Sequence, residues 1–370
     1  MTQIPTSNRL YSLDALRGFD MFWIIGAEEL FHVMADIEEN SFWSFFSNQF
    51  THPDWHGFAF YDLIFPLFLF LAGVATPYSI GSQLAKGISK KSLVLKVIKR
   101  GFMLVLLGVI YNNGLQIMPL EEIRFPSVLG RIGLAYMFAN LIYLFTEQRG
   151  QIIWFTTLLI SYWLLLLLGS APGYPPGTLS MEGNVVSYID TLLTPGRLYL
   201  GFHDPEGLTA TIPAIATALL GIYAGNLLKN TPVKKRKDTA KRLLITSIIL
   251  LVVAQLWNLV FPINKNLWTS SFVLQCGGIS MLLLTFFYYV IDILGYKKWA
   301  FFFKVIGMNS ILIYMLKHFV DWHYTGSALF GWVGQLIGQP YVSVVMVIAM
   351  LAVQWLFLYV LYRKKLFLSV

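Results

Sequence analysis

The sequence contains few charged residues and almost no cysteine. Only 12% of its 370 residues are Asp, Glu, Lys or Arg, about half the share that is usual in soluble domains. The surface of a soluble protein of this length would lack charge, so the composition excludes a soluble domain, a disordered chain and a nucleic-acid-binding protein. The single cysteine, Cys276, excludes an intrachain disulfide and a cysteine metal cluster.

Long apolar runs take up most of the chain. Hydrophobic residues make up 56% of it and aromatic residues 16%, and the mean hydropathy is +0.64. A membrane span requires about 20 mostly apolar residues, and ten segments satisfy this condition. We therefore predict an all-α integral membrane protein, with one transmembrane domain over residues 1–370. The ten predicted spans are residues 12–31, 59–82, 94–112, 127–146, 151–169, 208–228, 242–261, 268–291, 300–320 and 340–362.

The distribution of positive charge predicts the orientation in the membrane. Alternate loops carry most of the basic residues, namely Arg9, Lys86–Arg100, Arg149, Lys229–Arg242, Lys297–Lys298 and Arg363–Lys365. The other loops carry Arg124, Arg197 and Lys265. Basic loops stay in the cytoplasm, so we expect both termini there and an even number of spans. This bias accounts for most of the net charge of +8 without an anionic partner. We expect a bacterial inner membrane.

The first predicted span contains ionisable residues, which are costly inside a membrane and indicate function. If this span is one continuous α-helix, Asp14, Arg17 and Glu28 lie on one face at about 100° per residue, with Arg17 and Glu28 about 16 Å apart along the axis. Arg17 would then lie near the cytoplasmic end, where an arginine can hold a phosphate. The alternative is a structural ion pair between Asp14 and Arg17.

A second polar group precedes the second predicted span. His52 begins the sequence HPDWHG, and Asp62 follows ten residues later at the start of the helix. The aspartate could fold back and orient the imidazole, as catalytic histidines require. The alternative is an interfacial histidine beside a helix-capping aspartate. His52 and His56 have metal-ligand spacing for a helix, but Pro53 and Gly57 disfavour a helix there, so we predict no metal site.

Three further polar residues lie inside predicted spans. Arg131 is a few residues into the fourth span from its outer end, and Lys304 is near the cytoplasmic end of the ninth, where a lysine can also extend towards the interface. Asn309 is in the middle of that span, where a polar side chain often bonds to a neighbouring helix. The sequence contains no Walker loop, Rossmann fingerprint or GxSxG elbow, so ATP-driven transport and serine hydrolysis lack support.

Several segments together resemble a known family. Residues 9–26, RLYSLDALRGFDMFWIIG, resemble the opening of the transmembrane acyltransferases. Residues 52–73, HPDWHGFAFYDLIFPLFLFLAG, resemble the next segment in the heparan-α-glucosaminide N-acetyltransferase family. Four more segments follow in the family's order: FPSVLGRIGLAY (125–136), DPEGLTATIPAIATALLG (204–221), KNLWTSSFVL (265–274) and GMNSILIY (307–314). The first motif is shared with O-acyltransferases, but the ordered set is specific and covers nearly the whole chain.

The resemblance implies a membrane acetyltransferase that uses cytoplasmic acetyl-CoA and modifies an amino sugar on the far side. It implies that His52, in the H-x-x-W-x-G segment, is the active-site histidine, and Asp62 matches the family's aspartate in the DL-FP stretch. One departure is Glu28, where we expect asparagine in the lysosomal members. We assign catalysis and donor binding to two sets of residues. The catalytic set is His52, Asp62, Glu28 and Asn309, and the acetyl-CoA-binding set is Arg17, Asp14, Arg131 and Lys304.

Some alternatives stay open at this point. A transporter of a small anion or glycan precursor would also have many spans, broken helices and buried charges. For the enzyme, N- and O-acetylation are both open, as are direct transfer and an acetyl-histidine intermediate. The expected partners are acetyl-CoA, a sugar-type acceptor and membrane lipid, with no nucleic acid. The fifth span is almost purely apolar and should face lipid, which leaves room for a homodimer.

Overall fold

The regular structure of this chain is helical. The computed structural model describes residues 10–368, and every regular element in that range is a helix, with one isolated bridge between Arg124 and Gly196. This confirms the predicted all-α class. The α-helices are α1 (Tyr11–Phe22), α2 (Glu29–Ile37), α3 (Ser41–Gln49), α4 (Ile64–Thr76), α5 (Ser82–Ala85), α6 (Lys90–Asn113), α7 (Val128–Phe145), α8 (Gln148–Leu168), α9 (Val185–Leu193), α10 (Thr211–Lys229), α11 (Arg236–Asn258), α12 (Ser270–Phe287), α13 (Phe301–Gly307), α14 (Ser310–Phe319), α15 (Trp322–Ile337) and α16 (Val342–Arg363).

Seven continuous helical segments among the described residues are long and apolar enough to cross a membrane. Each coincides with one of the ten predicted spans, so the chain is a multi-pass membrane protein. The segments include short π- and 3-10 turns that continue α4, α11 and α12. They are Phe60–Ala85, Val128–Phe145, Gln148–Leu168, Thr211–Lys229, Val233–Asn258, Ser270–Ile293 and Val342–Arg363.

The other three predicted spans are helical but do not meet that criterion, so the structure does not reproduce the count of ten. The span at 12–31 is interrupted by the π-helical turn Trp23–Ala27. The span at 300–320 is divided between α13 and α14. The span at 94–112 lies in α6, where Lys96, Lys99 and Arg100 lower the hydropathy of its first turns. Sequence periodicity alone could not locate the two interruptions.

The described chain forms two compact units. The first comprises residues 10–53, 59–64 and 286–368. Within it α1 packs against α13 at very short range, because glycines occupy the crossing. A Cβ atom on Gly18 would lie 1.6 Å from the carbonyl oxygen of Phe303, and one on Gly307 would lie 1.9 Å from that of Asp14. Small residues permit such close backbone approach between membrane helices.

The second unit comprises residues 54–58 and 65–285. Its most buried helix is α10, in which 78% of the most apolar stretch is buried. By contrast, only 22% of that stretch in α8 is buried, and 28% in α11. The low burial of α8 agrees with the prediction that the fifth span faces lipid. The outer surface of this unit is therefore apolar along α8 and α11.

The glycine crossing gives a stability prediction. We expect Gly18→Ala to lower the free energy of unfolding by about 2–3 kcal/mol, because the added methyl group meets fixed backbone atoms. Gly331→Ala in α15 is the matched control, since a Cβ there meets nothing within 4 Å. It should be neutral or stabilising by up to about 1 kcal/mol. Thermal unfolding of the purified variants in detergent measures both, and equal melting temperatures would contradict the proposed close packing.

Candidate active site

A break after α1 determines where the residues that follow it lie. Gly26 has a φ of 123°, which right-handed helices do not allow. The carbonyl oxygens beside the break are hydrogen-bonded by side chains: Lys317 Nζ donates to Ile24 at 2.6 Å, and Gln354 Nε2 donates to Ile25 at 3.1 Å. The prediction that Glu28 shares one helix face with Asp14 and Arg17 is therefore wrong, since it assumed a continuous helix.

The predicted contact between His52 and Asp62 is present. His52 Nδ1 lies 2.7 Å from Asp62 Oδ1, and Asp62 Oδ2 accepts a hydrogen bond from the Ala59 amide at 2.9 Å. The aspartate side chain is 1% exposed and the histidine 44% exposed. A neutral imidazole that donates its Nδ1 proton to Asp62 keeps its lone pair on Nε2. A fixed carboxylate thus orients an accessible histidine, an arrangement that can serve as a base or a nucleophile.

Tyr61 connects this pair with Glu28. Its ring stacks on the His52 imidazole, with 5.0 Å between centroids and an angle of 28°. Its hydroxyl donates to Glu28 Oε1 at 3.3 Å. Glu28 is buried and lies 3.8 Å from Lys317 Nζ, and its Oε2 has no hydrogen-bond partner in the described chain. The structure therefore places Glu28 with His52 and Asp62, as predicted, through contacts that sequence did not indicate.

A second ion pair lies beside this group. Glu29 Oε2 is 3.2 Å from His323 Nε2. Neither residue was predicted as a site residue, and Lys317 and Tyr61 were also missed. Lys317 and His323 are separated from the first helix by nearly the whole chain, so no local pattern could pair them. Tyr61 directly precedes Asp62 in the sequence, and this position was the only local indication that Tyr61 belongs to the site.

Three of the four predicted donor-binding residues lie on α1 or on the neighbouring α13: Asp14 in the first turn of α1, Arg17 in the middle of α1, and Lys304 on α13. Arg17 is 3.8 Å from Asp14, as the ion-pair alternative predicted. Lys304 Nζ lies 4.3 Å from the ring centroid of Tyr11, the first residue of α1, and Lys297 Nζ lies 5.9 Å from it. These contacts bring cationic side chains together at the end of α1 opposite to Glu28.

Asn309 makes its contacts with the C-terminal segment. Its Nδ2 donates to the Leu366 carbonyl at 3.0 Å, and its Oδ1 accepts from the Leu368 amide at 2.9 Å. The side-chain amide thus holds backbone that follows α16, and the structure does not place it with the His52 group. A motif match fixed the residue's position in the sequence but not the groups that it bonds.

Arg131 lies in the second unit, on α7. It is fully buried, donates from Nη2 to the Gly207 carbonyl at 2.9 Å, and its guanidinium lies 5.0 Å from the ring centroid of Trp268. Its Nε and Nη1 have no hydrogen-bond partner among residues 10–368. Its contacts therefore differ from those of Arg17 and Lys304, with which sequence analysis grouped it.

The loops that contain Arg124 and Asp204 in the second unit form an ion cluster that sequence analysis missed. Arg124 donates to both carboxylate oxygens of Asp204, at 2.8 and 2.7 Å, and also to Glu206. Its guanidinium lies 4.6 Å from the ring centroid of Tyr199. Burial alone would raise the pKa of Asp204, but the hydrogen bonds and charge of Arg124 outweigh it and hold that pKa below its usual range. The cluster ties two loops together.

His203 adjoins this cluster. Its Nδ1 lies 2.7 Å from the Ser187 hydroxyl, and its ring meets the edge of Trp55 at 5.2 Å between centroids. Burial lowers the pKa of His203 to about 4. Residues 10–368 contain no group of three or more His, Cys, Asp or Glu side chains placed to hold a metal ion.

The pKa of His203 gives a stability prediction. In the unfolded chain His203 takes up a proton at the usual histidine pKa of about 6.5. In the folded chain the pKa of His203 is about 4. The free energy of unfolding should therefore fall by about 3 kcal/mol as the pH drops from about 6.5 to about 4. His203→Gln should show a smaller fall, measured by thermal unfolding at pH 7 and 4.5, with His32→Gln as control. The same fall in all three proteins would contradict this assignment.

Comparison with known proteins identifies the family. A family model described as "Heparan-alpha-glucosaminide N-acetyltransferase, catalytic" matches residues 9–261. Proteins named heparan-alpha-glucosaminide N-acetyltransferase are similar over nearly the whole chain. The Mus musculus protein is 29% identical over 99% of this chain, and the Homo sapiens protein is 28% identical over 97%.

The aligned regions cover 61% and 59% of those two proteins, so the chain spans about three fifths of the length of the curated relatives it matches. The matched residues include the whole His52–Asp62 pair and its connection to Glu28. Since the family model covers more than half of the sequence, the chain belongs to the family of heparan-alpha-glucosaminide N-acetyltransferase catalytic domains.

Proposed function

We propose that this protein transfers an acetyl group from cytoplasmic acetyl-CoA to an amino sugar or glycan acceptor on the outer side of the membrane. The observation that supports this proposal most directly is the buried Asp62 carboxylate that orients His52, with Glu28 joined to that pair through Tyr61. Family membership and the names of the relatives support an N-acetyltransferase. O-acetylation of a hydroxyl by the same residues is the secondary possibility.

The proposal includes a topology with ten crossings, both termini in the cytoplasm and a periplasmic acceptor side. The seven long apolar helices would be joined by α6, by α1 with α2 across the break, and by α13 with α14. Interrupted helices are tolerated where neighbouring side chains satisfy the freed backbone groups, as Lys317 and Gln354 do here. The basic loops support this orientation, although Arg9 lies outside the described residues.

In this topology the cationic end of α1 faces the cytoplasm and receives the donor. The phosphates of CoA cannot enter the hydrocarbon core without compensating charge. Arg17 is suited to bind a phosphate, with Asp14 fixing its guanidinium and Lys304 adding charge. Arg131 is also a predicted donor contact, but it lies in the second unit and near the outer end of its predicted span, so we do not place it at the phosphates. The acyl group would lie beside His52 near the outer end.

The chemistry assigned to His52 is proton transfer. Its Nε2 takes the proton from the acceptor amine, whose nitrogen then attacks the thioester carbonyl. The new C–N bond forms as the C–S bond breaks, and the imidazolium returns the proton to the leaving thiolate. Asp62 stabilises the imidazolium. Transient acetylation of Nε2 is the alternative route.

Glu28 and Asn309 have supporting roles in this proposal. Glu28 holds the acceptor amine or acts as a second base, since its Oε2 has no partner in the described chain. For Asn309 to donate to the developing oxyanion, its bond to Leu366 must be released, so a backbone amide is the simpler oxyanion donor.

A transporter of a small anion or glycan precursor is the second candidate function. The broken first helix with buried carboxylates favours it, because transporters place substrates at discontinuous helices. Binding of CoA by the purified protein separates the two, because only the acetyltransferase requires it.

One test of the proposed function concerns His52. We expect His52→Ala to reduce acetyl transfer from acetyl-CoA to glucosamine about 10²–10⁴-fold, since general-base catalysis contributes that much. The measurement uses purified protein in liposomes with glucosamine outside, and His32→Gln is the matched control. Retained transfer in His52→Ala would remove His52 from the mechanism and direct attention to Glu28. Wild-type protein without transfer or CoA binding would favour the transporter.

Another test of the proposed function concerns Arg17. We expect Arg17→Gln to raise the KM for acetyl-CoA about 10-fold or more, because a charge-assisted hydrogen bond to phosphate is lost. The KM for S-acetyl-N-acetylcysteamine, a donor without phosphates, should not change. Arg149→Gln, at the exposed start of α8, is the control. A parallel rise for both donors would show that Arg17 is structural.

A further inference from the structure

The first helix carries buried polar atoms that bond to no described residue. Both carboxylate oxygens of Asp20 have no hydrogen-bond partner in the described chain, and Asp20 is fully buried. The indole Nε1 of Trp23, three residues later, and the hydroxyl of Ser12 also have none. Most buried polar groups are paired, so three such groups on one helix require an explanation.

These groups lie on one side of α1. With Asp14 at 0° and about 100° per residue, Ser12 lies at about 160°, Trp23 at about 180° and Asp20 at about 240°. Gly18, which contacts the Phe303 backbone on α13, lies at about 40° on the same scale. Asp20 therefore lies on the side of α1 opposite to the Gly18 contact with α13. Asp20 and its neighbour Leu16, at about 200°, are fully buried, so this side faces protein interior.

A carboxyl group in such a position is costly without a partner. Asp20 offers hydrogen-bond acceptors, and Trp23 offers one N–H donor. Residues three apart are neighbours on a helix surface, yet these two are not bonded to each other. A secondary amide, which has one N–H and one carbonyl oxygen, complements this combination.

The position of the two residues along the helix indicates which amide they bind. Asp20 lies about 4.5 Å beyond Arg17 along the helix axis, and Trp23 about 4.5 Å farther. Trp23 packs on Phe50 and Phe60, at 4.9 and 5.7 Å between ring centroids. Phe60 directly precedes Tyr61, which stacks on His52. The pair therefore lies between the predicted phosphate site and the catalytic histidine, where a long uncharged arm must pass.

We propose that Asp20 and Trp23 bind an amide of the pantetheine arm of the acyl-CoA donor. A carboxyl oxygen of Asp20 accepts from the amide N–H, and the Trp23 indole N–H donates to the amide carbonyl. The inference rests on the proposed acetyltransferase function and adds a determinant of donor recognition. The bound amide would give the buried Asp20 carboxyl group the hydrogen-bond partner that the described chain does not supply.

Two donors that differ in their amide test the proposal. S-acetyl-N-acetylcysteamine has one secondary amide, and hexyl thioacetate is a thioester without one. The experiment measures kcat/KM for both donors, and for acetyl-CoA, with wild type, Asp20→Leu and Asp20→Asn. Asn140→Leu is the control, because Asn140 is another buried polar residue with an unpartnered oxygen and lies on α7. Gel filtration in detergent checks that each variant is folded.

We expect wild type to prefer the amide donor and Asp20→Leu to reduce this preference about 10-fold. Asp20→Asn should keep part of it, since its side-chain oxygen still accepts a hydrogen bond, and Asn140→Leu should keep all of it. An unchanged preference in folded Asp20→Leu would overturn the inference while leaving the acetyltransferase intact. Wild-type protein that transfers from none of the three donors would overturn the proposed function, and this inference with it.

Discussion

The helix break at Gly26, between α1 and α2, is the constraint on which the candidate site depends. A positive φ ends the right-handed helix, and buried carbonyls beside such a break need other hydrogen-bond donors. Lys317 and Gln354 supply them. Lys317 also lies near Glu28, so one lysine both stabilises the broken backbone and neutralises part of the charge that follows it.

The charges of the first unit are separated along α1. Cationic side chains gather near Tyr11 at one end, and the carboxylates of Glu28 and Glu29 lie past the other. In the proposed function, the cationic end binds the phosphates of the donor and the carboxylates lie on the side of the acceptor amine. Between these ends lie the buried polar atoms of Asp20 and Trp23, so the helix offers polar contacts along most of its length.

Two glycines explain how α1 can carry so many polar groups. Gly18 and Gly307 bring α1 and α13 into backbone contact, which fixes one side of the helix by packing alone. The opposite side does not have to supply that packing and can hold polar side chains. The ion cluster of Arg124, Asp204 and Glu206 fixes two loops of the second unit in a different way, by charge.

The sequence by itself determined the features that depend on short-range patterns. Apolar runs identified the helices, and the ten-residue spacing of His52 and Asp62 was enough to predict their contact. The ordered motifs identified the family. Tertiary structure alone decided where helices break, that Tyr61 joins Glu28 to His52, and that Asn309 holds the C-terminal segment. Periodicity reports which face of a regular helix is apolar, whereas a break or a contact between distant residues depends on packing that no local pattern encodes.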